Sequence, residues 1–212
     1  MEIEYNGHSC FTIKTSLGTI VTDPFGEEIP YPVRELRADI VTVSHEHFDH
    51  NAVSRVKGSP YVIKTVGEHK HNGILIRGLQ AFHDKNKGSQ RGQTVIFIIG
   101  AENLKVCHLG DLGELLDESQ IKMLGDIDIL LIPVGGFFTI EPEEAKILAE
   151  KIKPGIVIPM HYKTDYIKDW NIKPVEEFLR GISFPVKRIN SSKVTINEED
   201  KPLSTEVYLL KI

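Results

Sequence analysis

A chain of 212 residues, 41% hydrophobic and 26% charged, has the profile of a soluble globular protein. It is long enough to bury a core without disulfide staples and is read as one domain over residues 1–212. A net charge of −5 supplies no general attraction to nucleic acid or to anionic lipid, so nucleic acid ranks low as a partner and no membrane partner is expected. The two cysteines, Cys10 and Cys107, form no disulfide framework. The start "MEIEYNGHSC" has no basic region leading into an apolar run, so the expected compartment is the cytoplasm. The most apolar stretch, "IDILLIPVGGFF", is interrupted by a proline and glycines and is too short to span a bilayer.

In chain order, "EIEYNG", "SCFTIKTS" and "GTIVTDPF" are short β-favouring runs separated by Gly-bearing turns, which predicts an antiparallel meander. "ADIVTVSHEHFDH" is an apolar strand that runs into a polar loop. More short strands follow from "YVIKTVGEHK" through "ILIRGLQAFHD". "TVIFIIGAENLKVCHLGD" reads as a strand pair that turns near Ala101 to Asn103. "DESQIKMLG" opens on acids suited to a helix N-terminus and stops at Gly125. "PEEAKILAEKIKPG" has helical apolar spacing, acids first and lysines last, and stops at Pro154-Gly155. "PVEEFLRGI" is a third, shorter helix. Strands recur at "DILLIPV", "GIVIPMH", "VKRIN" and "EVYLLKI". Strands first, then strands alternating with helices, suit an α/β architecture of two stacked sheets with helices outside.

The chemistry concentrates in "SHEHFDH", which places His45, His47, Asp49 and His50 together. Imidazole and carboxylate are the usual nitrogen and oxygen ligands of zinc and related divalent ions. At a strand end His45 and His47 would alternate to the same side, and after a turn Asp49 and His50 could face a second ion. A helix suits less well, because residues two apart diverge by about 200°. These residues cannot complete two ions alone. Further donors stand where apolar runs end: His83 in "QAFHD", His108 and Asp111 in "HLGD", and His161 in "IPMHY". His83 and His108 are rivals for the first ion.

A His-x-His-x-Asp-His run after a strand, then a downstream His, a Gly-Asp, and a strand ending in His resembles the metallo-β-lactamase superfamily of dinuclear metal hydrolases over nearly the whole chain. "GHSCF", "AFHD", "HLGD", "PVGGFFTI" and "IPMHY" resemble, more narrowly, the small stand-alone hydrolases near the L-ascorbate-6-phosphate lactonase branch. The resemblance implies a four-layer αββα sandwich with the metals at one edge. It implies His45, His47 and His83 for the first ion, Asp49, His50 and His161 for the second, and Asp111 as the bridge, a place that suits a carboxylate. His108 then moves to a supporting or structural place.

Asp23 in "TDPF" matches an acid of the family's first turn. It either accepts a ring N–H from a ligand or makes only an Asp-Pro turn, and the two readings stand level. His8 either faces the site or is a buried hydrogen-bonded ring, the second reading ranking first. Lys163, two residues past His161, could meet an anionic substrate or be merely solvated. Cys107 reads as core packing, and His69 and His71 as surface residues.

The implied cofactors are two divalent ions, Zn²⁺ first and Mn²⁺ as the alternative. Ions about 3.5–4 Å apart share a water and lower its pKa toward roughly 7. Asp49, by the same resemblance, both binds the second ion and orients the nucleophile, so Asp49 and Asp111 are the catalytic candidates. The expected activity is hydrolysis of a small lactone, ester or phosphoester, with anionic substrates included. The cations of "HDKNKGSQRG" (Lys85, Lys87 and Arg91) either steer such an anion or sit on a mobile solvated loop. Two alternatives are a diiron redox protein of the same fold, which by resemblance would call for Glu where His47 stands, and a phosphodiesterase or nuclease. The latter usually carries an RNA-gripping arm, and no basic, aromatic-interleaved stretch is present. A non-catalytic scaffold would be expected to have lost a ligand. Oligomeric state is left open.

Overall fold

A computed structural model describes residues 1–32 and 35–212. The N-terminal meander forms as β1 (Glu2–Gly7), β2 (Cys10–Thr15) and β3 (Gly18–Thr22). Four short strands follow: β4 (Leu36–Arg37), β5 (Ile40–Thr42), β6 (Val56–Lys57) and β7 (Tyr61–Ile63). Next come β8 (Gly67–His71), β9 (Ile74–Phe82), β10 (Gln93–Ala101) and β11 (Leu104–His108). The rest alternates: α1 (Glu118–Leu124), β12 (Ile129–Pro133), α2 (Pro142–Ile152), β13 (Ile156–Met160), α3 (Val175–Leu179), β14 (Val186–Ile189), β15 (Lys193–Thr195) and β16 (Glu206–Leu210).

Two mixed sheets result. One has the order β15-β1-β2-β3-β5-β7 and the other β14-β16-β13-β12-β11-β10-β9-β8, with β4 and β6 forming a small separate ribbon. Tightly turned neighbours pair antiparallel, as β10 and β11 do around Glu102 and Asn103, both at positive φ as a type I′ turn requires. Parallel neighbours need a crossover, and α1 and α2 supply those between β11, β12 and β13. Both helices carry their N-terminal signals. Asp117 accepts from the Gln120 backbone N–H at 2.9 Å, and the Glu141 backbone N–H donates to the Glu144 carboxylate at 2.9 Å.

Strand alternation decides what each face of the first sheet meets. Phe11, Ile13, Ile20 and Ile40 enter the main core with Ile76, Ile96, Ile129 and Ile158 of the second sheet. Cys10, Val21 and Val41 point the other way, against Phe25, Ile29, Tyr31 and Ile167. That outer cover contains two 3₁₀ turns, Val53–Arg55 and Asp165–Ile167. Strands β12 and β13 are buried at every position, which is why they read as unbroken apolar runs. Ala145, Leu148 and Phe178 of α2 and α3 belong to the same core. β15 was not expected. It is three residues long, its burial alternates between exposed and half-buried, and it pairs with β1 at Ile3 and Val194, so no apolar pattern marks it. Among the described residues no helix is long and apolar enough to cross a membrane.

Candidate metal centre

The ends of five strands converge at one edge of the sandwich. Asp23 follows β3, His45 to His50 follow β5, His83 follows β9, Asp111 follows β11 and His161 follows β13, while His8 stands in the β1–β2 turn. A side chain just past a strand is held by the sheet yet freed from its packing, which suits a fixed polar cluster.

One group of donors is His45, His47 and His83. The His45 Nε2 and His47 Nδ1 atoms are 3.0 Å apart, and the His83 ring centre lies 4.8 Å from that of His45. Strand alternation does not bring the first two together as expected, because β5 ends at Thr42 and both rings stand on irregular chain beyond it. The second group is His8, Asp49, His50 and His161. His8 is both buried and in the site, with Nε2 3.0 Å from Asp49 Oδ2. A single oxygen joins the groups: Asp111 Oδ2 lies 3.2 Å from His50 Nε2, 3.3 Å from His161 Nε2 and 3.5 Å from His83 Nε2.

Asp23 anchors the cluster from behind. Its carboxylate accepts from His50 Nδ1–H at 2.9 Å, from the Ser44 backbone N–H at 2.7 Å and from the Ser44 hydroxyl at 2.5 Å. The Ser44 hydroxyl oxygen in turn accepts from His45 Nδ1–H at 2.9 Å. These bonds assign the protons of both rings to Nδ1 and turn each Nε2 toward the site. The Asp-Pro turn is also present, with Asp23 at φ +41°. His108 belongs to neither group. Its Nε2–H donates to the Ser9 carbonyl at 2.8 Å, and its Nδ1 accepts from the Gly110 N–H at 3.2 Å. Cys107 is fully buried in the core.

The electrostatics are those of a site that holds positive charge. Burial opposes charging the His50 ring, but Asp111 and Asp23 outweigh it and hold its pKa well above the usual value. Burial also opposes ionising Asp111, and His161 and His50 overcome that to hold its pKa well below the carboxylate range. Burial, with His50 adding to it, pushes the His45 ring down to about 3, so it is a neutral, ligand-competent imidazole at neutral pH. The donor set fits a divalent cation. His50 Nε2 is buried with no hydrogen-bond partner among the described residues, although it faces two carboxylates.

The cluster floors a cavity of about 520 Å³ whose walls include Phe48, Phe138, Trp170 and Arg91. Of these four only Arg91 was offered from sequence, as one of three possible steering cations; the three aromatics were not, since an aromatic reads as core until the fold places it. The loop from Lys85 to Arg91 is not a free tether. The Asp84 side chain is buried, and Oδ1 accepts from the backbone N–H of Asn86 and Gly88 while Oδ2 accepts from those of Gln90 and Arg91. An Asp heading a Gly-bearing loop was the available signal. Lys85 turns away to Glu144 at 2.6 Å, whereas Arg91 lines the cavity. Lys163 does not. It borders a separate surface groove with Tyr162 and Asp165, because the chain turns after His161 and Lys163 pairs its backbone with the 173–174 segment. His69 and His71 lie on β8 at the far edge of the second sheet.

Residues 2–161 match the family described as "Beta-lactamase superfamily domain". A UPF0173 metal-dependent hydrolase of Methanospirillum hungatei is 32% identical over 207 residues, covering 86% of this chain and 91% of the relative. One from Methanoculleus marisnigri is 33% identical over 205 residues, covering 86% and 88%. Among solved structures, a candidate zinc-dependent hydrolase of the metallo-β-lactamase superfamily from Thermotoga maritima superposes with a TM-score of 0.84 at 39% identity, covering 99% of this chain and 97% of that one.

Proposed function

Because this chain belongs to the metallo-β-lactamase superfamily and, within it, to the UPF0173 metal-dependent hydrolases, we propose that it holds two divalent cations, zinc foremost, and hydrolyses an acyl bond, a lactone or ester, of a small molecule. The observation that carries the dinuclear reading is Asp111 Oδ2, one carboxylate oxygen facing His83 of one donor group and His50 and His161 of the other. In this reading His45, His47 and His83 hold the first ion, and Asp49, His50 and His161 hold the second, with His8 beside them. When bound, such ions supply Lewis acidity and a water of lowered pKa.

The chain's own groups do the rest. Asp23 and Ser44 hold Nδ1 of His50 and His45, so Nε2 of each is turned toward the site. Burial disfavours the Asp49 anion, but the hydrogen bond from His8 and the nearby His50 outweigh it and keep the carboxylate ionised. Facing the cavity, Asp49 would orient the nucleophilic water by accepting its hydrogen bond. Phe48, Phe138 and Trp170 give the cavity an apolar surface for the body of the substrate. Aromatic walls with one arginine suit a small substrate with an apolar body. The "GHSCF" and "IPMHY" segments support the lactonase-like variant of this reading. Two buried free thiols support a cytoplasmic location.

The test is metal analysis coupled to a screen across lactones, esters and phosphodiesters, with Asp111→Ala as the blank. Two zinc or manganese ions per chain and acyl turnover are expected. Full turnover in a verified metal-free preparation would overturn the reading, and two irons with a visible absorption band would point to redox chemistry instead.

A further inference from the structure

Resting on the hydrolase reading for where the scissile bond lies, we propose that Arg91, seated on Phe138 at the wall of the metal-site cavity, is the specificity residue that selects substrates carrying a single carboxylate on an apolar body.

Three observations converge on it. The first is position. The Arg91 guanidinium lies 5.5 Å from the centre of the Phe138 ring, and both residues line the same cavity as Asp49, Asp111 and His161. A guanidinium laid against an aromatic ring keeps its N–H edges free for a bidentate acceptor, which is the geometry a carboxylate offers. No carboxylate of the protein pairs with Arg91 among the described residues, whereas Lys85 from the same loop is committed to Glu144.

The second is preorganisation. The loop that carries Arg91 leaves β9 at His83, a candidate ligand of the first ion, and closes back on it: the His83 N–H donates to the Gly92 carbonyl at 3.0 Å and the Gly92 N–H to the Gly88 carbonyl at 2.9 Å. Asp84 ties the interior of the loop through four backbone N–H groups, that of Arg91 included at 2.7 Å. Arg91 and His83, one candidate ligand of the first ion, are therefore carried on one short, internally bonded segment. A recognition group fixed in this way loses little freedom on binding.

The third is charge count and shape. Among the described residues Arg91 is the sole lysine or arginine on the cavity wall, and Phe48, Phe138 and Trp170 supply its apolar part. One guanidinium balances one carboxylate. A phosphate monoester carries roughly −1.5 to −2 at neutral pH, more than the single guanidinium on the wall matches.

Trp170 is the only tryptophan of the chain and lines this cavity, so its fluorescence reports occupancy without any turnover. Metal-loaded protein is titrated with 3-phenylpropionate, with its neutral isostere 3-phenylpropionamide and with benzyl phosphate. Wild type is expected to bind the acid at least tenfold more tightly than the amide, and to prefer the acid to the phosphate. Arg91→Met is expected to bring the acid-to-amide ratio near one, and Arg91→Lys, which keeps charge but loses the fork, to fall between. Equal affinity for acid and amide in wild type, or a preference that survives in Arg91→Met, overturns the proposal. So does an Arg91-dependent preference for the phosphate, and so does Arg91→Lys matching Arg91→Met while amide binding is intact. Arg91-dependent selectivity in a protein that turns over no ester would sink the hydrolase reading alone. Ester turnover with no selectivity would sink this inference alone.

Discussion

Asp23 Oδ2 and His50 Nδ1 are joined at 2.9 Å with neither side chain reaching solvent. The same carboxylate holds His45 through the Ser44 hydroxyl, so one residue orients a ring from each donor group. Asp23→Asn keeps the volume but presents an amide N–H where ring and hydroxyl protons point. A loss of about 10–100-fold in affinity at the second ion is expected, read by competition with a chromogenic chelator. Unchanged affinity in the folded variant would mean that the Asp-Pro turn is the residue's whole contribution.

His83 and His108 separate cleanly by their partners. His83→Ala removes a donor of the first group and should lower metal content from two ions toward one. His108→Ala should leave both ions bound while costing about 1–3 kcal/mol of stability, because the Ser9 carbonyl and Gly110 N–H lose a buried partner. Elemental analysis alongside urea unfolding distinguishes them. Metal loss in His108→Ala with His83→Ala intact would exchange the two assignments.

Two glycines let the backbone pass directly behind the donors. A Cβ on Gly113 would strike the His83 carbonyl, and a Cβ on Gly135 would strike the His161 carbonyl. Neither atom can yield, since both belong to backbone. Gly113→Ala should weaken the first ion and Gly135→Ala the second, each with a clear loss of thermal stability. If both variants bind two ions as tightly as wild type, these carbonyls do not fix the ligands in place.

Burial works against the Asp84 anion, and its backbone N–H donors overcome this to hold the pKa below the usual value. Asp84→Ala leaves the N–H groups of Asn86, Gly88, Gln90 and Arg91 without their acceptor. Hydrogen exchange at these amides should accelerate, and the acid-over-amide preference at Trp170 should decline with Arg91 still present. Unchanged exchange would show that the loop is held by something else.

Asp23, Asp49 and Asp111 are buried together, so stripping the ions should destabilise the fold. Ligand held at a hundredfold its Kd stabilises by about 2.7 kcal/mol. For a chain of this size that corresponds to a Tm drop of roughly 5–10 °C on verified metal removal. A Tm that does not move would mean that the cluster is satisfied without cations.

The β1–β3 meander, the β10–β11 hairpin and helices α1 and α2 were legible because their signals are local: turn glycines, a capping acid, apolar spacing. β15 was not, because a three-residue edge strand holds no pattern beyond its pairing with β1. For Lys163, left open between substrate contact and solvation, the place in the fold was hidden for a related reason. Two residues past His161 is close in sequence, but the turn after β13 sends the side chain to another surface.

The sequence by itself determined the inventory of donors and their attachment to strand ends, since "SHEHFDH" and the isolated histidines follow apolar runs that can hardly be anything but strands. How these donors group had rested on family resemblance alone, and only the tertiary structure shows which of them stand together. Asp111 Oδ2 reaches donors from β5, β9 and β13 at once, and His108 is turned away toward Ser9, because strand order and twist, rather than spacing along the chain, set which strand ends meet. Arg91 was legible only as one of three loop cations and stood apart from Lys85 for the same reason. Distance in space is fixed by the whole sheet, and a guanidinium on a loop acquires a role only when Asp84 and Phe138 fix where it stands.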